Sequence, residues 1–111
     1  MKVAVIGSRN LQIENLQDYL PRETTVIISG GAKGIDSCAR EYANSQNLQL
    51  IEYLPDYASF GRNAPLKRNI TIIEQSDLVI AFWDGKSRGT KYVIDQCKKR
   101  DIPVEVHIIC M

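Results

Sequence analysis

The sequence predicts an α/β fold of the Rossmann-like type, a three-layer sandwich built on a five-stranded parallel sheet. Five apolar runs alternate with segments of helical periodicity along the 111 residues. Strict alternation of this kind favours a parallel sheet covered by helices on both faces. No composition shift, linker or repeat divides the chain, and its charged fraction of 24% is ordinary for a globular domain. We therefore expect a single domain over residues 1–111.

The predicted elements follow one another in the order β-α-β-α-β-α-β-α-β. Right-handed crossovers between parallel strands leave few ways of arranging such a chain. The apolar runs that predict strands are Val3 to Gly7, Thr25 to Ser29, Leu48 to Leu54, Leu78 to Trp83 and Val104 to Ile109. The periodic segments that predict helices are Leu11 to Leu20, Ile35 to Asn47, Pro65 to Gln75 and Thr90 to Arg100.

Polar residues inside two of the runs indicate which strands lie at the edges of the sheet. The third run contains Gln49 and Glu52, and the fifth contains Glu105 and His107. The first, second and fourth runs are continuously apolar, as strands buried on both faces should be. The strand order 3-2-1-4-5 is therefore favoured over 2-1-3-4-5, which would expose the all-apolar second strand. His107, on an edge strand, is expected to have a surface or packing role.

A ligand site is expected where the strand order reverses, beyond the carboxyl ends of the first and fourth strands. The loops that begin at Gly7 and Asp84 flank this point. The net charge of only +1 excludes a general attraction to nucleic acid or to an anionic membrane. Eight of the 14 basic residues nevertheless fall in or beside the loops at this end of the sheet. They are Arg9, Lys33, Arg62, Lys67, Arg68, Lys86, Arg88 and Lys91.

These loops predict a phosphate site at the rim. The glycine-rich loop from Gly30 to Gly34 follows a strand and opens a helix, although it matches neither the dinucleotide fingerprint nor the Walker loop. Backbone N–H groups at helix starts bind phosphate, whereas cations there oppose the helix dipole. Arg68 and Arg88 are therefore expected to lower stability unless an anion is bound. Ser87 and Thr90 could also serve only as helix caps.

Other chemistry is not indicated. Cys38, Cys97 and Cys110 are widely spaced beside a single histidine, which disfavours disulfides, a metal site and a cysteine nucleophile. We expect no metal and no cofactor. There is no signal peptide and no apolar run of the roughly 20 residues that a bilayer needs, so a cytoplasmic protein is expected.

Three loop segments together form a pattern that is more specific than any one of them. The first is Ser29-Gly30-Gly31-Ala32-Lys33-Gly34-Ile35-Asp36, the second is Lys67-Arg68-Asn69, and the third runs from Phe82 to Thr90. In order and spacing they resemble the SGGARGxD motif, the Arg-Asn pair and the final Gly-Thr motif of the SLOG superfamily. That superfamily joins the Smf/DprA DNA-processing proteins with the Lonely-guy cytokinin-activating hydrolases. The likeness covers nearly the whole chain and is greatest to small single-domain bacterial and phage members.

The resemblance implies a domain that binds or senses a nucleotide or nucleotide-derived small molecule, with its phosphate or ribose between the Gly-Gly and Gly-Thr loops. Arg88 is added to the site from its place in the basic rim. The residues that the resemblance implies by position are Gly7, Ser8, Arg9, Gly30, Gly31, Ala32, Gly34, Asp36, Arg68, Asn69, Ser87, Gly89 and Thr90.

Two alternatives stay open. The first is a nucleotide N-glycosidase of the Lonely-guy kind, but those enzymes carry PGGxGTxxE, and this chain lacks both the proline and the glutamate. Asp36, Asp84 or Asp56 would have to replace that glutamate, and Asp84 is preferred because it ends the fourth strand at the switch point. The second is DprA-like binding of single-stranded DNA, which the low net charge disfavours. Nucleic acid is thus the less expected partner, no membrane partner is expected, and a homo-oligomer is left open.

Overall fold

The computed structural model describes residues 1–109 and has the predicted Rossmann-like architecture. Its strands are β1 (Lys2–Gly7), β2 (Val26–Ser29), β3 (Gln49–Glu52), β4 (Leu78–Trp83) and β5 (Val104–Ile108). Every neighbouring pair is parallel, and the order is β3-β2-β1-β4-β5. The predicted strand order is therefore confirmed, with the switch point between β1 and β4.

Helices cover both faces of the sheet. They are α1 (Ile35–Ser45), α2 (Tyr57–Phe60), α3 (Ala64–Glu74) and α4 (Arg88–Lys99), with short 3-10 turns at Leu16–Asp18 and Gly61–Asn63. The side chains of β1 alternate between the faces: Val3 and Val5 pack in the core beneath α1, whereas Ala4 and Ile6 pack beneath α3 and α4. This two-sided burial explains why the central strands are apolar without interruption.

The prediction of a helix over Leu11 to Leu20 is wrong. That segment is an irregular connection with one 3-10 turn at Leu16–Asp18. Its two buried leucines, Leu11 and Leu16, are five residues apart and do not form the i, i+3, i+4 stripe of a packed helix. The Asn15 side chain donates to the Asp18 carboxylate at 3.0 Å, a local bond of the kind that competes with helix formation.

Two smaller differences concern the connection between β3 and α3. The third strand ends at Glu52 and not at Leu54, whose residue surface is 69% exposed. The short helix α2 follows and was not predicted from the sequence. It begins after Asp56, whose carboxylate accepts from the Ser59 N–H at 3.1 Å. An aspartate three residues before a backbone donor is an N-cap signal that the sequence contained.

His107 packs, as expected, within the edge of the sheet. Its ring lies 4.7 Å from the Tyr19 ring and 5.6 Å from the Phe82 ring, measured between centroids. Cys97 is buried in the core, and burial raises the pKa of its thiol to about 11. Cys110 lies outside the described residues. Within residues 1–109, no helix is long and apolar enough to cross a membrane.

Candidate ligand-binding site

A cleft of about 450 Å³ opens at the carboxyl ends of β1, β2 and β4, between α3 and α4. It lies at the predicted switch point. Many of the residues expected to bind a ligand line this cleft, although they come from four separate segments of the chain. These residues are Gly7, Ser8, Arg9, Gly30, Ala32, Asp36, Arg68, Asn69, Ser87, Gly89 and Thr90. Gly31, Gly34, Arg88 and Asp84 do not line it.

Ser8 ties the loop after β1 to the loop after β4. Its residue surface is 2% exposed, its N–H donates to the Phe82 carbonyl at 3.1 Å, and its Oγ accepts from the Asp84 N–H at 3.3 Å. Both loops at the switch point are therefore held together by one buried residue. The Ser8 side chain therefore stabilises the two loops that form part of the cleft wall.

The glycines of the second loop have different neighbours. At Gly30, an added Cβ would lie 2.6 Å from Nη1 of Arg68 and 3.1 Å from Oδ2 of Asp36. At Gly34, where φ is +72°, it would strike the backbone of Arg9. At Gly31, where φ is +70°, it would meet Leu54 on the side away from the cleft. Close packing against other atoms of the protein is thus enough to explain why these three positions are glycine.

Gly89 differs from these glycines because an added Cβ there meets nothing within 4 Å. It lies in the first turn of α4 and lines the cleft. The fold does not require a glycine at this helical position, since its backbone has no positive φ. The open space beside Gly89 is therefore available to a ligand.

The start of α4 offers free backbone donors to the cleft. Ser87 caps the helix, its Oγ accepting from the Thr90 N–H at 3.4 Å, so the capping interpretation of this hydroxyl is confirmed. The Lys91 N–H donates to the Ser87 carbonyl at 3.2 Å and makes the first helical bond. The N–H groups of Arg88 and Gly89 precede that bond and have no intrahelical acceptor. Such groups are ready ligands for an anion.

Arg68 is bound to the protein itself. Its Nη1 donates to the carbonyls of Gly30 at 2.7 Å and Tyr53 at 3.3 Å, and its Nε donates to Oδ1 of Asn69 at 2.8 Å. Because α3 begins at Ala64, Arg68 also lies beyond the first helical turn. The expectation that Arg68 lowers stability in the absence of an anion therefore conflicts with the structure. Arg68 joins α3 to the ends of β2 and β3.

Asp36 is the carboxylate that lines the cleft. Its residue surface is 8% exposed, and its Oδ2 accepts from the Ala32 N–H at 3.1 Å. Burial raises the pKa of Asp36, although the Ala32 bond and the nearby Arg68 charge act in the opposite direction. A helix N-terminus alone would lower it. The direction of the shift shows that desolvation outweighs the local donors and the positive charge.

Asp84 has a different place. Its Oδ1 accepts from the N–H groups of Lys86 at 2.8 Å and Ser87 at 2.7 Å, and these bonds lower the pKa of Asp84. This carboxylate shapes the turn that leads into α4 and does not line the cleft. The sequence-based preference for Asp84 over Asp36 as a reacting group therefore lacks geometric support.

Four cleft residues on α3 are spaced as one helix face: Pro65, Arg68, Asn69 and Ile72. Arg68 and Asn69 were predicted from the sequence, whereas Pro65 and Ile72 were not. The i, i+3, i+4, i+7 spacing from Pro65 was the signal that could have found both. Asn10 also lines the cleft and was not predicted. Its position two residues after the buried Ser8 gave no such periodic signal.

Comparison with known proteins identifies relatives over most of the chain. A family model described as DNA recombination-mediator protein A matches residues 1–97. The Gene 61 protein of Mycobacterium phage D29 is 31% identical over 116 residues, which cover 93% of this chain and 93% of that relative. No solved structure matches. The family match includes every residue that lines the cleft and ends within α4, before β5.

Proposed function

Because this chain belongs to the DNA recombination-mediator protein A family, we propose that its cleft binds a nucleotide or nucleotide-derived ligand through a phosphate group. The observation that carries the proposal is the meeting of the α4 N-terminus with the loop after β2 in one cleft of about 450 Å³. That volume lies within the roughly 300–1,000 Å³ typical of small-molecule sites.

The charges of the cleft favour one orientation of such a ligand. A phosphate fits beside the N–H groups of Arg88 and Gly89, where the helix dipole and the exposed Arg9 add positive potential. Asp36 repels a phosphate but is a good acceptor for a sugar hydroxyl. The proposed orientation therefore places the phosphate toward α4 and the ribose toward Asp36.

Replacing Gly89 with leucine tests the phosphate position. Because an added Cβ meets no protein atom, Gly89→Leu should leave the free energy of unfolding unchanged or raise it by up to about 1 kcal/mol. The side chain should occupy the phosphate position and weaken AMP or ADP-ribose binding at least tenfold, about 1.4 kcal/mol or more. Isothermal titration calorimetry would give the affinities, and urea unfolding the stability.

Gly85→Ala is the matched control for Gly89→Leu. Gly85 has equally open surroundings but lies outside the cleft, with φ at +82°. Its replacement should lower the free energy of unfolding by about 1–2 kcal/mol and leave nucleotide affinity unchanged. If the wild-type protein binds AMP and the Gly89→Leu variant binds it with the same affinity, the ligand does not use the α4 N-terminus.

Binding of single-stranded DNA is a second candidate, and the family match favours it over the sequence-based expectation that nucleic acid is an unlikely partner. A groove of about 670 Å³ runs along another face of α3 and shares Arg68 with the cleft. Its lining includes Phe60 and Tyr53 beside Lys67 and Arg100. Aromatic rings beside cations are the combination that holds unstacked bases and phosphates.

A salt titration distinguishes the two candidates. If the protein neutralises three or more phosphates of a labelled oligothymidine, the affinity should fall as the salt concentration rises. A plot of the logarithm of the binding constant against the logarithm of the salt concentration should then have a slope of about −2 or steeper, at about −0.7 per phosphate. Phe60→Ala should then reduce the affinity for the oligonucleotide by about 1–3 kcal/mol without affecting AMP. A protein that binds AMP while the oligonucleotide shows no saturable binding would support the small-molecule function alone.

We expect no release of free base from AMP at enzyme-like rates, on the order of 1 per second or faster. Cleavage of an N-glycosidic bond needs a carboxylate placed near the developing positive charge. Asp36 lines the cleft but is desolvated, and Asp84 is bound to two N–H groups of its own turn. Chromatographic detection of adenine would check this. Fast release that is lost in Asp36→Asn would establish the glycosidase alternative instead.

A further inference from the structure

Strand β5 forms an open edge with an apolar stripe. Within residues 1–109 it pairs only with β4. Val106 and Ile108 are 36% and 61% exposed, whereas Val104 packs against the core beneath α3 and α4. Alternate residues of a strand share a face, so these three side chains form one stripe. Edge strands in soluble proteins usually carry charged side chains, especially lysine, or a proline or bulge that prevents further pairing. The span Val104–Ile108 has one charged residue, Glu105, but no lysine, proline or bulge.

The opposite edge of the sheet is protected. Strand β3 has only four residues, and Gln49 at its start is exposed. At its end, Arg40 donates to the Glu52 carboxylate at 2.9 Å and 3.0 Å. A short strand with charged groups at its end is a poor template for pairing. The contrast marks β5 as the edge suited to a partner strand.

The backbone of β5 shows which groups are free to pair. The Val79 N–H donates to the Pro103 carbonyl, and the Ile109 N–H donates to the Trp83 carbonyl, both at 2.9 Å. In a parallel ladder, alternate residues bond to the same neighbouring strand. Residues 103, 105, 107 and 109 therefore point their backbone groups toward β4. The N–H and C=O groups of residues 104, 106 and 108 point toward the open edge.

We propose that β5 pairs antiparallel with β5 of a second copy of this chain, centred on Val106, so that the two five-stranded sheets become continuous. In this register Val106 faces itself, Val104 faces Ile108, and Glu105 faces His107. The residues with outward backbone groups then lie opposite one another, as hydrogen-bonded pairs require. Glu105 then lies opposite His107 and not opposite another carboxylate, and the apolar stripes become continuous. Within one chain the same two side chains are already 3.8 Å apart.

The sequence Val-Glu-Val-His-Ile is thus complementary to itself about its central residue. A two-fold axis through Val106 pairs the outward backbone groups, makes the apolar stripe continuous and places no carboxylate opposite another. The contact between two short strands is smaller than the roughly 1,600 Å² of a standard interface. The dimer is therefore expected to depend on protein concentration. Because β5 follows residue 97, this surface lies beyond the family match.

Cysteine crosslinking tests the register directly. Hydrogen-bonded antiparallel partners have Cα atoms about 5.5 Å apart, which is within the range that a disulfide can bridge. Val106→Cys faces its own copy and should form a linked dimer on mild oxidation. Ile108→Cys is the matched control, because it faces Val104 and lies about 13 Å from its own copy. Random collisions would favour Ile108→Cys, since that position is more exposed. The wild-type chain measures the background from the native cysteines.

We expect Val106→Cys to crosslink at least about ten times faster than Ile108→Cys. Val106→Pro removes the outward N–H and leaves the bonds to β4 intact, so it should raise the dimer dissociation constant at least about tenfold. Light scattering over a concentration series measures this, and Leu54→Lys, an exposed apolar position away from β5, should leave the dimer unchanged. Any one of three results would overturn the proposal. The wild-type chain could stay monomeric, the two cysteine variants could crosslink equally fast, or the dimer could persist in Val106→Pro.

Discussion

Arg68→Ala is expected to lower the free energy of unfolding of the ligand-free protein by about 2–3 kcal/mol. The substitution removes the guanidinium bonds to the carbonyls of Gly30 and Tyr53 and leaves both carbonyls partly unsatisfied. Hydrogen bonds from a charged donor contribute more than neutral ones, and burial increases the loss. Urea unfolding without ligand measures the change.

The loss in Arg68→Ala should also depend on pH. Because the folded-state pKa of Asp36 is raised, ionising this carboxyl lowers stability, and the loss appears as the pH rises through that pKa. Arg68 opposes the shift, so its removal raises the pKa of Asp36 further. The deficit of the variant should therefore be larger at neutral pH than near pH 4.

Lys67→Ala is the control for Arg68→Ala. Lys67 is an exposed neighbour on the same helix, and its replacement should change the free energy of unfolding by less than about 0.5 kcal/mol. If Arg68→Ala is equally mild, its carbonyl bonds contribute little net stability. The sequence-based view of Arg68 as a cation held for an anion would then be restored.

Gly34→Ala should be among the most destabilising single substitutions in the loops, with a loss of about 3–4 kcal/mol. The residue has φ 72° and ψ −122°, and an added Cβ would meet the backbone of Arg9. Backbone atoms cannot move aside as a flexible side chain can. The loop after β1 would have to shift, and with it one wall of the cleft. Chemical unfolding would measure the loss.

Gly61→Ala isolates the steric part of that loss. Gly61 has a similar backbone conformation, with φ 55° and ψ −129°, but an added Cβ there meets nothing within 4 Å. Its replacement should therefore show only the conformational penalty, about 1–3 kcal/mol. Equal losses in the two variants would mean that the contact between Gly34 and Arg9 has no energetic consequence.

The strand order and the position of the cleft were predictable because each depends on a simple pattern. Polar residues such as Glu52 and Glu105 identified the edge strands, and the reversal of strand order then predicted the position of the cleft. The roles of individual loop residues depend on contacts between distant segments. Gly31 faces Leu54, and Arg68 reaches the carbonyl of Gly30, 38 positions earlier. Such approaches leave no periodic trace in the sequence.

The choice between the two carboxylates was unpredictable for a related reason. Asp36 and Asp84 both follow strands at the same edge of the sheet, so the sequence offered no measure of their burial. Burial raises the pKa of Asp36, whereas hydrogen bonds from two local N–H groups lower the pKa of Asp84. The absence of a helix between β1 and β2 has a local explanation instead, because Leu11 and Leu16 are buried at a five-residue spacing that does not fit a helix face.

The irregular connection between β1 and β2 makes the two faces of the sheet unequal in cooperativity. One face is covered by two helices, whereas part of the other is covered by a segment in which the buried hydrophobic residues are Leu11 and Leu16, with Ile13, Tyr19 and Leu20 partly buried. Segments with few buried contacts open before the global transition and exchange their amide hydrogens sooner. Arg9 and Asn10 belong to this segment and line the cleft. A ligand that binds in the cleft should therefore also suppress local opening of this segment.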